Sequence, residues 1–196
     1  MKRWGTYVAS VLLAGVVSIV SAAAQVDRRA GQVAQPGGTG QDRIAKEVRH
    51  ELVMLPYYGV FDDLEYSVNG NAVALTGRVT RPTLKSDAEN AVAHIEGVER
   101  VDNQIQVLPL SPMDDRIRIA EYRAIYSQPG LDRYALQAVP PIHIIVDNGH
   151  VTLTGVVSSD VERALAGSLA NSFDAFSVDN QLKTDAEIRA LFGKLG

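Results

Sequence analysis

The 196-residue chain has no cysteine. That excludes disulfides and thiolate metal ligands, and it excludes a lipid anchor on an N-terminal cysteine, so the protein is not expected to be a lipoprotein. Basic residues are in deficit, with 19 Lys and Arg against 23 Asp and Glu. A net negative chain is a poor partner for nucleic acid, and bulk charge does not draw it to an anionic membrane. The four histidines (His50, His94, His143, His150) show no metal-ligand spacing. They read as surface or helix-capping residues, and no metal or other cofactor is expected. No Gly-rich stretch forms a phosphate loop, since Gly37–Gly40 lacks both a preceding strand and a following Lys-Ser/Thr. The acid pairs Asp62-Asp63 and Asp114-Asp115 come with no nucleophile and base, and read as charge complements to helix N-termini. Nothing in the sequence marks an enzyme.

What is present begins with an address. Lys2 and Arg3 precede an apolar run from Tyr7 to Val20, followed by the small residues Ser21 to Ala24. A basic start, a short apolar middle and a small-residue end describe a cleavable secretory signal over residues 1–24, and hence a periplasmic protein. The apolar run is short for a membrane span, which needs about 20 residues. Removal of the signal takes away Trp4, the only tryptophan, and two of the 19 basic residues but no acid. Residues 25–41, with Gly31, Pro36, Gly37, Gly38 and Gly40, read as a flexible linker.

The rest of the chain repeats itself. Val73, Leu75, Gly77 and Val79 recur as Val151, Leu153, Gly155 and Val157, and Val101-Asp102-Asn103-Gln104 recurs as Val178-Asp179-Asn180-Gln181. Two copies of one small unit are implied, over residues 42–108 and 114–184. Each copy is near the lower size limit for burying a core alone, so the two are expected to pack together.

In the first copy Ile44, Val48, Leu52 and Leu55 share a helical face, with a start expected near Asp42. Alternation at Leu64, Tyr66, Val68 and again at Val73, Leu75, Val79 predicts a hairpin turning at Asn69-Gly70-Asn71. A second helix follows Pro82, with Leu84, Ala88, Ala91, Val92 and Ile95 inward, and Val101, Ile105 and Val107 form a last strand. The second copy repeats this order. Ile117, Ala120, Ala124 and Ile125 mark its first helix, Asn148-Gly149 its hairpin turn, and Ser159 with Glu162 a capping box. Val161, Leu165, Leu169 and Phe173 are expected to line its next helix. The fold class is α+β: two αββαβ domains, each a three-stranded mixed sheet with two helices on one face.

The run Val73 to Val79 with Val98 to Ile105, and its echo in Val151 to Val157 with Val178 to Leu182, resembles the BON domain, the module named for bacterial osmotically inducible protein Y and nodulation proteins. The resemblance spans about Asp42 to Thr184. It implies a non-enzymatic periplasmic protein that contacts membrane phospholipid and supports envelope integrity under osmotic stress.

Four features have particular readings. Gly77 and Gly155 read as structural glycines, where a side chain would strike the crossing helix or where the strand bends. Asn103 and Asn180 interrupt the last strand and are expected to bond nearby loop backbone. The helix from Arg116 to Tyr126 carries Arg116, Arg118, Ile119, Tyr122, Arg123 and Tyr126, a basic and aromatic set suited to a lipid headgroup layer; the tyrosines could equally cover the contact with the first domain. In residues 185–196, Ile188, Leu191, Phe192 and Leu195 form an apolar stripe, either docked on its own domain or offered to a partner. Two functions therefore stand: attachment to phospholipid, or protein–protein adaptor in the envelope.

Overall fold

The computed structural model describes residues 40–171 and 175–193. The expected signal and nearly all of the linker lie outside these residues, as do Phe173, Leu195 and the side chains of Leu191 and Phe192.

The first domain runs α1 (Gly40–Val53), β1 (Asp63–Asn69), β2 (Ala72–Val79), α2 (Pro82–Ala93), β3 (Arg100–Asn103) and β4 (Gln106–Val107). The second repeats it with α3 (Pro112–Tyr126), a 3-10 turn (Asp132–Leu136), β5 (Ile142–Asp147), β6 (His150–Val157), α4 (Asp160–Ala170), β7 (Ser177–Asn180) and β8 (Lys183–Thr184), and α5 (Asp185–Gly193) closes the chain. In each domain the hairpin strands pair antiparallel and the last strand returns parallel to the second. The architecture is the expected α+β repeat.

Alternation builds each core. Val73, Leu75 and Val79 of β2 meet Ile44, Val48 and Leu52 of α1 and Leu84, Ala88 and Val92 of α2 in one apolar cluster. Both helices therefore cover one face. Each fully enclosed Leu or Ile contributes roughly 2 kcal/mol from apolar surface removed from water. A separate cluster around Ile142, Ile144, Val146, Val151 and Leu153 forms the second core. The hairpin turns differ in detail: Gly70 alone takes positive φ in the first, whereas Asn148 and Gly149 both do in the second.

The structure refines several sequence expectations. α1 begins at Gly40, before Asp42, and α3 at Pro112, where the Ser111 hydroxyl accepts the Asp114 amide. The last strand is broken in both domains. Asn103 donates to the Lys85 carbonyl of α2 while its own carbonyl oxygen accepts the Ile105 amide, and Asn180 does the same with Arg163 and Leu182. The Ile105 and Leu182 amides lie in the short break of the strand, which is the expected loop contact, while the Lys85 and Arg163 carbonyls belong to the crossing helix. Asn103 and Asn180 are therefore latches between the last strand and the crossing helix.

Gly77 and Gly155 lie at φ +114° and +116°. A Cβ at Gly77 would stand 2.1 Å from the Asp63 carbonyl oxygen, and one at Gly155 would stand 1.9 Å from that of Pro141. The conflict is with the neighbouring strand, not with the helix. Glu162 also departs from a simple capping box. Its amide bonds the Ser159 hydroxyl, but its carboxylate turns to the Ser158 amide and the Tyr134 hydroxyl.

Two helical faces are rotated from the expected ones. α4 packs through the small residues Ala166, Gly167 and Ala170, with Leu165 and Leu169 half-buried and Val161 exposed. The bare Gly167 lets the Asn180 side chain approach. α3 buries Asp114, Ile117, Arg118, Glu121, Ile125 and Tyr126, so polar residues occupy part of the face assigned to Ala120 and Ala124.

Candidate functional site

That polar face of α3 has a clear task. β5 is the outer strand of its sheet, and its free edge would leave backbone groups bare. α3 covers that edge. Asp114 accepts the amides of Asn148 and Gly149, Arg118 donates to the Val146 carbonyl, and the Tyr126 hydroxyl donates to the Ile142 carbonyl. Between them the Ile144 amide donates to the carbonyl of Val60, which belongs to the first domain. Asp62 fixes the loop that presents Val60, accepting from the Thr80 amide and hydroxyl and from the Gly59 amide.

The six residues of the basic and aromatic helix thus divide. Arg118 and Tyr126 are buried and spent on the β5 edge. Tyr122 is half-buried, with Tyr126 on one side and Phe61 of the first domain on the other. Arg116, Ile119 and Arg123 remain at the surface, three and four residues apart on one helical face, with Met113 one turn before them. These three, with the half-buried Tyr122 beside Ile119, can meet a ligand from solvent. The same helix buries Glu121 completely, and neither carboxylate oxygen has a hydrogen-bond partner. Burial raises its pKa from 4.5 to about 7.

A second candidate lies where the domains meet. A cleft of about 420 Å³ opens between them. Its apolar wall includes Leu52, Val53 and Leu64 from the first domain and Val139, Pro140 and Val156 from the second. Asp63 and Glu65 of β1 face His143 and Thr154 of the other sheet across it. His143 is buried, stacked on Tyr58 at 5.6 Å between ring centroids, and its Nδ1 has no hydrogen-bond partner. Burial lowers the His143 pKa, partly opposed by the charge of Asp63. Burial likewise raises the Asp63 pKa, opposed by His143 and Arg78, and burial next to Asp63 holds the Tyr58 phenol well above its usual range.

His143 is therefore no surface histidine, and sequence reading missed the cleft. The signal for it was Ile142 to Val146, apolar on both faces but for one imidazole. Such a strand is buried on both sides, so something had to cover His143 and Ile145. Among the described residues no cluster of His, Asp or Glu is arranged to hold a metal ion, and no helix is long and apolar enough to cross a membrane.

The family model of the BON domain matches residues 41–109 and again residues 131–186. The chain belongs to the BON domain family. Its two copies are the tandem units described above, and the second match begins after α3. BON domains are generally non-enzymatic modules with roles in phospholipid binding or at the cell envelope. No curated protein matches the chain. Among solved structures, the chain is similar to CdsD, a structural protein of the type III secretion system of Chlamydia trachomatis, at 14% identity and a TM-score of 0.28, covering 76% of this chain and 97% of that one. The C-terminal domain of CdsD matches at 14% identity and a TM-score of 0.27, covering 74% and 98%.

Proposed function

We propose that this tandem BON protein is a periplasmic, non-enzymatic module that attaches to phospholipid surfaces and supports the envelope under osmotic stress. The observation that carries the reading is the outer face of α3. Arg116, Ile119 and Arg123 stand in solvent on one side of a helix whose other side is pinned along β5. Ile119 keeps 46% of its surface exposed. A branched apolar side chain between two guanidinium groups fits the boundary between headgroups and acyl chains, and each basic residue near an anionic surface contributes about 1 kcal/mol. The surrounding chain is acidic, so the contact is local and depends on salt.

The test is flotation of residues 25–196 with vesicles of phosphatidylglycerol and phosphatidylethanolamine. Arg116→Glu with Arg123→Glu is expected to weaken binding by more than tenfold, and Ile119→Glu to weaken it at high salt as well. No flotation in any lipid mixture, or flotation indifferent to these changes, rejects the reading.

A further inference from the structure

Beside α3, a groove of about 320 Å³ lies at the seam of the two domains. Val60 and Phe61 of the first domain line it, with Ile119, Tyr122 and Pro140 of the second. Every one of these side chains is apolar or aromatic, and none is charged. The walls are held in place. The Val60 carbonyl accepts the Ile144 amide, Asp62 pins the loop around Phe61, and Phe61 meets Tyr122 edge-on at 6.2 Å between ring centroids. A preformed apolar groove open to water gains by covering itself with hydrocarbon.

The charges around its rim have one sign in surplus. Arg116 stands three residues before Ile119 and Arg123 four after it, on the same side of α3. Both are exposed, and among the described residues neither guanidinium has a carboxylate partner. Asp115, also one turn from Ile119, is paired with Arg118 at 2.6 Å. Counted with that pair, this side of the helix carries three guanidinium groups against one carboxylate. The remaining acids nearby are turned away. Asp114 is buried on the β5–β6 turn, Glu121 is buried, and Asp62 is buried with three hydrogen bonds of its own.

We infer that the groove seats one acyl chain of an anionic phospholipid, with the phosphate at Arg116 or Arg123. This rests on the phospholipid contact proposed above and deepens it, since the chain is gripped between the two domains and not only met by the outer face of the helix. The anionic head follows from the guanidinium surplus, which matches a phosphate. The single chain follows from a groove near the lower end of small-molecule volumes. Because its walls come from both domains, the bound chain also stabilises their docking.

Lauroyl lysophosphatidylglycerol, lauroyl lysophosphatidylcholine and glycerophosphoglycerol separate the tail from the head. They are added to residues 25–196 below the critical micelle concentrations, so that no bilayer is present. The expected result is saturable binding of lysophosphatidylglycerol by calorimetry, with the Phe61 and Tyr122 ring resonances shifted. Lysophosphatidylcholine should bind at least tenfold more weakly, and glycerophosphoglycerol not detectably. Val60→Trp and Pro140→Trp fill the groove from half-buried positions on opposite domains. Either one that keeps the wild-type circular dichroism spectrum should weaken lysophosphatidylglycerol binding at least tenfold. Absence of saturable binding, equal binding of the two lysolipids, or unshifted Phe61 and Tyr122 resonances in the wild type each overturns the inference, whether or not the variants fold. Unaltered binding by the folded variants overturns it as well. Vesicle flotation that persists without monomer binding rejects the seated chain and leaves the surface contact standing; loss of both rejects the surface contact too.

Discussion

Glu121 stands in the second domain where Val48 stands in the first. Each is the middle of three buried side chains spaced four residues apart, Ile44-Val48-Leu52 and Ile117-Glu121-Ile125, and both are 0% exposed. A carboxyl occupies the place that a core apolar group holds in the first copy, and it makes no hydrogen bond.

The folded state keeps the Glu121 proton up to about pH 7, while the unfolded chain releases it near 4.5. Between those values the folded form holds more protons, so stability falls as pH rises, and above about 7 it stays low. The loss is on the order of 3 kcal/mol. Glu121→Leu should recover most of it at pH 8 and little at pH 4.5. Urea unfolding of wild type and variant at both pH values checks this; an equal difference at the two would contradict it.

Gly77→Ala and Gly155→Ala should each cost more than about 2 kcal/mol, since a Cβ meets the facing strand's carbonyl oxygen at a backbone angle that L residues rarely adopt. The Gly77 change acts on the first core and the Gly155 change on the second. Thermal melts followed by circular dichroism, with hydrogen exchange to locate the damage, give the readout.

Asp62→Ala removes the acceptor of three hydrogen bonds in the loop that presents Val60. A loss of about 1–3 kcal/mol follows. More tellingly, the Ile144 amide, which bonds Val60, should exchange with solvent faster although Ile144 lies in the other domain. If exchange at Ile144 is unchanged, Asp62 does not position the loop.

Arg118→Ala strips the Val146 carbonyl of its donor and opens the β5 edge. An open edge invites pairing with another chain. Concentration-dependent association in light scattering is expected, and Tyr126→Phe, which loses one hydrogen bond but keeps its ring, should cost only about 1 kcal/mol and stay monodisperse.

The repeat, the hairpins and the apolar faces of α1 and α2 were legible because period-2 and period-3.6 patterns there are driven by one core each. Val73, Leu75 and Val79 state their side of the sheet unambiguously. The α3 face was misread for a physical reason. Its inward side chains serve backbone groups of β5, so Asp114, Arg118 and Tyr126 are polar where periodicity looks for apolar residues. The rotation of α4 was hidden likewise, because Ala166, Gly167 and Ala170 are small enough to pack closely while the larger Val161 faces water. Of the six residues assigned to a lipid surface, composition could name the helix but not say which arginine was free. His143 and Asp63 lie on different domains, and their meeting depends on how the copies dock, which no local pattern encodes.

The hydrogen bond from Ile144 to Val60 has a consequence for descent. Duplicated modules usually remain free to be lost or reshuffled one at a time. Here the earlier copy supplies a backbone partner to the later one, so a deletion that spares only the later copy leaves the Ile144 amide without that acceptor, which favours the two being inherited together.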